Sequence, residues 1–233
     1  MDRRSTAREW FQKGWQYDRN AGQVSLAIEA YQRCLQMDPS FSPAHVNLGF
    51  ILLEQGSMEE ACRSFQKVVE LEPHDPEGYN NLGYAYEKMS RLGSAKQMYE
   101  RARAVDPANM EAWINLAHVL ELEGDYHQAV EHYQQAILID PQSPVPHFCL
   151  GQLYDQHDMF DEAEREYHEV LRRDPLHLKA LFNLGNLYLQ LGNKELAFEY
   201  LRRLVRLKSL GYEEIDELSL KKIEETPALK IEA

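Results

Sequence analysis

Large apolar residues recur along this chain at i, i+3 and i+7: Tyr79, Leu82 and Tyr86, then Trp113, Leu116 and Leu120, then Leu181, Leu184 and Tyr188. That spacing puts them on one face of a helix and argues against a strand, which would alternate with period two. At i+4 in the same blocks stand Gly83, Ala117 and Gly185. A small residue there lets a neighbouring helix approach closely, so large-into-small packing is expected. Each block is followed by a second amphipathic series, Ala61-x-x-x-Phe65, Ala95-x-x-x-Tyr99, Ala129-x-x-x-Tyr133 and Ala163-x-x-x-Tyr167. The pattern predicts pairs of helices and no sheet.

The pairs are periodic. Acid-proline dipeptides fall at Asp38-Pro39, Glu72-Pro73, Asp106-Pro107, Asp140-Pro141 and Asp174-Pro175, each proline 34 residues after the last. An alanine stands twelve residues before each proline, and Ala197 carries the series into a sixth unit. Within a unit the two helices are separated by short polar turns such as Gln55-Gly56-Ser57, Glu123-Gly124-Asp125 and Leu191-Gly192-Asn193, where glycine permits the reversal. Proline ends the second helix because it lacks an N–H to donate and pushes the residue before it out of helical geometry.

This unit resembles the tetratricopeptide repeat family, whose repeat carries W-x-x-L-G-x-x-Y, then A-x-x-x-F or Y, then P; the resemblance covers residues 8 to 209. It implies an all-α fold, a right-handed α-solenoid of antiparallel helix pairs. The units are expected at about 6–41, 42–75, 76–109, 110–143, 144–177 and 178–209, followed by a capping helix over 210–226 and a flexible tail over 227–233. In the first unit Gly14 and Ala27 are one residue further apart than in the others, which predicts an insertion around Arg19 to Gly22. Thr6 with Glu9 three residues later reads as a capping box, placing the start of the first helix at Thr6. In the last unit Ser209 stands where proline is expected. Beyond it, Tyr212, Ile215, Leu218 and Ile223 form an apolar stripe suited to covering the end of the array.

The resemblance also implies that the first helix of every unit lines a concave surface. Positions two before and two after the motif leucine point away from it. These carry Val46, Phe50, Tyr84, Ile114, His118, Phe148, Phe182 and Asn186, and the apolar ones read either as a binding patch or as additional core. Just before the motif leucine stand Asn47, Asn81, Asn115 and Asn183, the row broken by Cys149. Amides both donate and accept, so such a row suits an extended peptide backbone; it equally suits tying adjacent helices together. A ladder of this kind is similar to that in the repeat domain of the O-linked N-acetylglucosamine transferase family. Glu54, Glu87, Glu121 and Asp155 read as an acidic rim favouring ligands with a basic residue beside apolar ones, or as a solvated face.

Charge narrows the partners. A formal net charge of -13 with no cluster of Lys and Arg disfavours nucleic acid and acidic membrane surfaces, so no nucleic-acid partner is expected. No apolar run is long enough to span a bilayer, and nothing after Arg3 and Arg4 reads as a signal peptide. Cys34, Cys62 and Cys149 have no metal or redox spacing and fit buried thiols in a cytoplasmic protein. No catalytic motif is present, adjacent carboxylates such as Glu59-Glu60 point apart on a helix, and no cofactor is implied. Some family members clamp carboxylate tails with Lys and Arg; the corresponding positions here hold Pro43, Glu77, Glu111 and Val145, with only Lys179 basic. The sequence therefore points to a non-catalytic adaptor binding a protein or peptide. A scaffold that self-assembles into homo-oligomers, and an accessory subunit presenting substrates to a separate transferase, remain alternatives. Replacing Asn81 and Asn115 together with Ala is expected to weaken ligand capture without unfolding the chain. An equal loss of folding, read by circular dichroism, would overturn that role.

Overall fold

The computed structural model describes residues 3–20 and 22–209. Twelve helices follow in chain order: α1 (Arg3–Asp18), α2 (Val24–Met37), α3 (Ser42–Glu54), α4 (Met58–Leu71), α5 (Pro76–Lys88), α6 (Leu92–Val105), α7 (Met110–Leu122), α8 (Tyr126–Ile139), α9 (Val145–Gln156), α10 (Phe160–Arg173), α11 (Leu178–Gln190) and α12 (Lys194–Ser209). There is no strand among the described residues; the helix pairs are those the periodicity predicts, and the fold class is the all-α solenoid that the resemblance implies. The chain divides into two compact units, with the boundary after Ala129 inside α8. In the first, α1 packs on α2, α3 on α4 and α5 on α6, while α3 and α7 also touch α5. In the second, α9 packs on α10 and α11 on α12, and α10 joins the two pairs. The proposed cap and tail lie outside the described residues.

In four of the six pairs the closing contact is a ring set into a gap left by glycine. A Cβ added at Gly14 would stand 2.6 Å from Tyr31, at Gly49 2.6 Å from Phe65, at Gly83 2.5 Å from Tyr99 and at Gly151 2.8 Å from Tyr167. Gly185 meets Leu201 in the same way. Each of these partners is fully buried, as are Ala27, Ala61, Ala95 and Ala163 one turn earlier on the second helix. Small residues thus line both sides of the seam and bring the backbones together.

The loops show why the acid before proline is nearly always Asp. Asp38, Asp106, Asp140 and Asp174 each accept the backbone N–H two residues on, at 3.0 to 3.1 Å. This Asx turn suits the short carboxylate, and Ser40 bonding to Asp38 holds that carboxyl below its usual range. The proline carbonyl that follows is capped by a side chain in all five loops. His45, Tyr79 and Trp113, at the position of the family tryptophan, bond Pro39, Pro73 and Pro107 at 2.9 to 3.2 Å. Pro141 and Pro175 instead accept from Arg173 and Arg203.

The turns inside the pairs all pass through a left-handed residue. Gly56, Gly124 and Gly192 have φ between 74° and 81°, and Ser90 and Asp158 adopt φ 56° and 57° where those units lack glycine. The first pair is joined by residues 19–23, longer than the three-residue turns elsewhere, where the insertion was expected. The start of α1 differs from expectation. The helix already runs from Arg3, so Thr6 lies inside its first turns and is not the cap. Nothing in Arg3-Arg4-Ser5 breaks a helix, and the local capping signature is overridden. Replacing Gly83 with Val, which puts branched atoms into the Tyr99 ring, is expected to lower stability by about 1–3 kcal/mol. An unchanged urea midpoint would refute the seam as the limiting contact.

Candidate functional site

A cavity of about 460 Å³ opens on the face built by α3, α5 and α7. Phe50, Leu53 and Glu54 come from α3, Asn80, Asn81, Tyr84 and Lys88 from α5, and Glu111 and Asn115 from α7; Met58 closes one end. Five residues singled out from the sequence meet here: Phe50, Glu54, Asn81, Tyr84 and Asn115. Phe50 and Tyr84 are 39% and 38% exposed, so their rings present apolar surface to solvent and leave area for a ligand to cover. Phe50 packs edge-on against Phe65 at 5.2 Å between centroids, and Lys88 Nζ lies 4.8 Å from the Tyr84 ring centroid.

The amides do not act as one row. Asn47 Nδ2 donates to Tyr31 Oη at 3.0 Å and Asn183 Nδ2 to Tyr167 Oη at 3.1 Å, so both tie a first helix to the preceding second helix. Asn115 hydrogen-bonds Glu111. Where Tyr31 and Tyr167 stand, the second repeat has Phe65, which offers no hydroxyl. Asn81 makes no side-chain hydrogen bond among the described residues and stays available at the cavity.

The acidic residues likewise divide. Glu87 accepts from Tyr99 Oη at 3.1 Å and faces His118 Nδ1 at 3.3 Å. Asp155 accepts from Tyr167 Oη at 3.4 Å, and burial pushes its carboxyl above the usual range. Both carboxylates are spent on the fold; burial of the phenols themselves, and then the charge of the neighbouring carboxylate, pushes Tyr99 and Tyr167 upward. Glu54 is exposed at the cavity, and Glu121 is half-buried on α7. Of the remaining apolar candidates, Val46 and Ile114 are half-buried. In the second unit Phe148 and Phe182 pack against the core, Phe148 lying 4.8 Å from the His177 ring, and Asn186 is half-buried.

Sequence reasoning passed over Asn80. It occupies the position two before the motif leucine, where other units carry Val46, Ile114, Phe148 and Phe182, and it is 1% exposed. A lone amide in an apolar column was the available signal. Glu111, also missed as a cavity residue, is exposed, and partial desolvation with the charge of Glu77 raises its carboxyl above the usual range.

Cys34 is buried and burial, with the Asp38 charge, pushes its thiol up to about 11; Cys62 and Cys149 are half-buried. Among the described residues no three His, Cys, Asp or Glu side chains converge as metal ligands, and no helix is long and apolar enough to cross a membrane.

Helix pairs recurring along the chain, five of the six closed by a large side chain against glycine, define a helical-repeat protein. Models of the tetratricopeptide repeat match residues 7–41, 30–63, 76–119, 111–143 and 150–211, and a TPR repeat model matches 51–90. The chain belongs to the tetratricopeptide repeat family. No curated protein matches the sequence. Among solved structures, MamA is 26% identical with TM-score 0.60, covering 75% of this chain and 95% of its own. PilW, a type IV pilus biogenesis factor, is 20% identical with TM-score 0.75, covering 94% and 98%. PilF of Pseudomonas aeruginosa is 18% identical with TM-score 0.71, covering 96% and 99%.

The Glu87 and His118 pair predicts a pH response. The hydrogen bond to Glu87 raises His118 above its ordinary 6.5, against the opposing effect of burial. Burial alone would raise Glu87, but bonds from His118 and Tyr99 with the His118 and Lys88 charges outweigh it and leave the carboxyl below 4.5. The histidine's contribution is therefore full below 6.5 and lost as pH rises through its folded value. The carboxylate's contribution is present above 4.5 and lost as pH falls through its folded value. Imidazole NMR titration should place His118 above 6.5, and Glu87→Gln should bring it down; a titration indifferent to that change would break the pairing.

Proposed function

We propose that this protein is a non-catalytic interaction scaffold whose α3, α5 and α7 face receives a peptide segment of a partner protein, the segment presenting apolar and basic side chains. The observation that carries the reading is the cavity itself. Two exposed rings, an unpartnered amide at Asn81 and two carboxylates open on one side of a rigid helix array. Rings supply apolar area at little entropic cost, the amide bonds a peptide backbone of any sequence, and carboxylates favour a cation. Because each helix is fixed by its neighbours, the face is largely preformed and little ordering cost attends binding. Repeat proteins of this family typically mediate protein interactions, which agrees with presentation as the mechanism. Three cysteines that form no disulfide suit a reducing cytoplasm as its place of work.

Selection of a displayed random library of peptides about ten residues long tests the reading. That length spans three first helices spaced roughly 10 Å apart at about 3.3 Å per residue. Peptides retained by the full chain should lose at least about tenfold in affinity when Tyr84 is replaced by Ala, as for an aromatic anchor. The helical melting curve should be unchanged. Retained peptides indifferent to Tyr84→Ala would place binding on another face.

A further inference from the structure

Asn80 lines the cavity although only 1% of it is exposed. Its neighbours fix which way its amide points. The Ala112 backbone N–H donates to Asn109 Oδ1 at 2.8 Å, which makes that oxygen an acceptor, and Asn80 Nδ2 donates to the same oxygen at 3.1 Å. The other end of the Asn80 amide must then be its carbonyl. That Oδ1 is buried and accepts no hydrogen bond from the described residues. A buried acceptor in this state is unfavourable until a donor reaches it.

What surrounds Asn80 indicates the kind of donor. Glu111, in the first turn of α7, is exposed and lines the same cavity, where partial desolvation and the nearby charge of Glu77 disfavour its carboxylate. Glu54 adds a further carboxylate from α3. A cation relieves all of these at once, whereas an anion or an acceptor relieves none. The cation on the same helix does not fill the role: Lys88 lies over the Tyr84 ring and makes no ion pair with Glu111 among the described residues. Phe50 and Tyr84 present apolar surface suited to the aliphatic stem that carries such a charge.

We infer that the cavity takes one lysine or arginine side chain of the partner peptide, its charge paired by Glu111 and one of its N–H groups accepted by Asn80 Oδ1. This rests on the peptide-binding reading above and assigns the residue type that the site selects. Glu111 is the specificity determinant, while Tyr84 supplies affinity for any bound segment.

The test uses peptides recovered from the displayed library on the full chain, synthesised with their basic residue and with norleucine in its place. On the wild-type chain, norleucine should weaken binding by about tenfold, as for loss of a charge-assisted bond. On Glu111→Gln, which keeps the side chain's shape and its bond from Asn115, the two peptides should bind nearly alike. Recovered peptides without a basic residue, or a wild-type chain that binds both forms equally, overturn the inference; so does an equal loss on both chains. If those peptides still depend on Tyr84, the groove reading survives its failure. Binding indifferent to Tyr84→Ala removes the reading and the inference together. The norleucine change leaves the protein untouched, so its outcome stands even if Glu111→Gln alters stability.

Discussion

A ring pressed against a bare glycine backbone sets the dimensions of this molecule. In five of the six pairs the second helix puts Tyr31, Phe65, Tyr99, Tyr167 or Leu201 where a first-helix Cβ would be. Those side chains are fully buried, so the distance between the two helices is fixed by ring thickness and has little room to vary. Everything else follows from that close approach. It brings the phenol of Tyr99 to Glu87 and that of Tyr167 to Asp155, while the phenols of Tyr31 and Tyr167 take the Asn47 and Asn183 amides from the next pair. The packing seam is thus also the source of the polar network beside it.

The loops between units repeat for a separate reason. Asp folds back on the N–H two residues on, proline forbids helix continuation, and a side chain caps the proline carbonyl. Three loops use the residue at the tryptophan position, and two use arginine from a second helix. The same carbonyl is satisfied from two directions, which explains how Leu181 and the buried His147 stand at that position without leaving the loop unpaired. His147 Nδ1 turns instead to Glu166, at 2.6 Å.

The candidate site arises where the repeat is imperfect. Phe65 replaces a tyrosine, so Asn81 loses the hydroxyl that holds Asn47 and Asn183. Asn80 replaces an apolar residue, so a carbonyl is buried without a donor. Both departures fall on α4 and α5, beside two exposed rings. Among the described residues two buried side-chain polar atoms lack a protein partner, His147 Nε2 and Asn80 Oδ1, and the second of these lines the cavity.

The sequence by itself determined the helix pairs, their period, the turns and the glycine seam. These depend on local periodicity and backbone geometry, which each residue expresses through its own neighbours in the chain. It also put Phe50, Tyr84 and Asn81 on the first helices, where the structure brings them to one cavity. Only the tertiary structure decided which members of each repeated column are free. Asn47 and Asn81 occupy equivalent positions, as Glu87 does with Asp155, and their fates depend on residues sixteen or twelve positions away in the chain. A phenol or a phenyl there makes the difference between a tie and an open amide, because hydrogen bonds are short and directional and read contacts across helices.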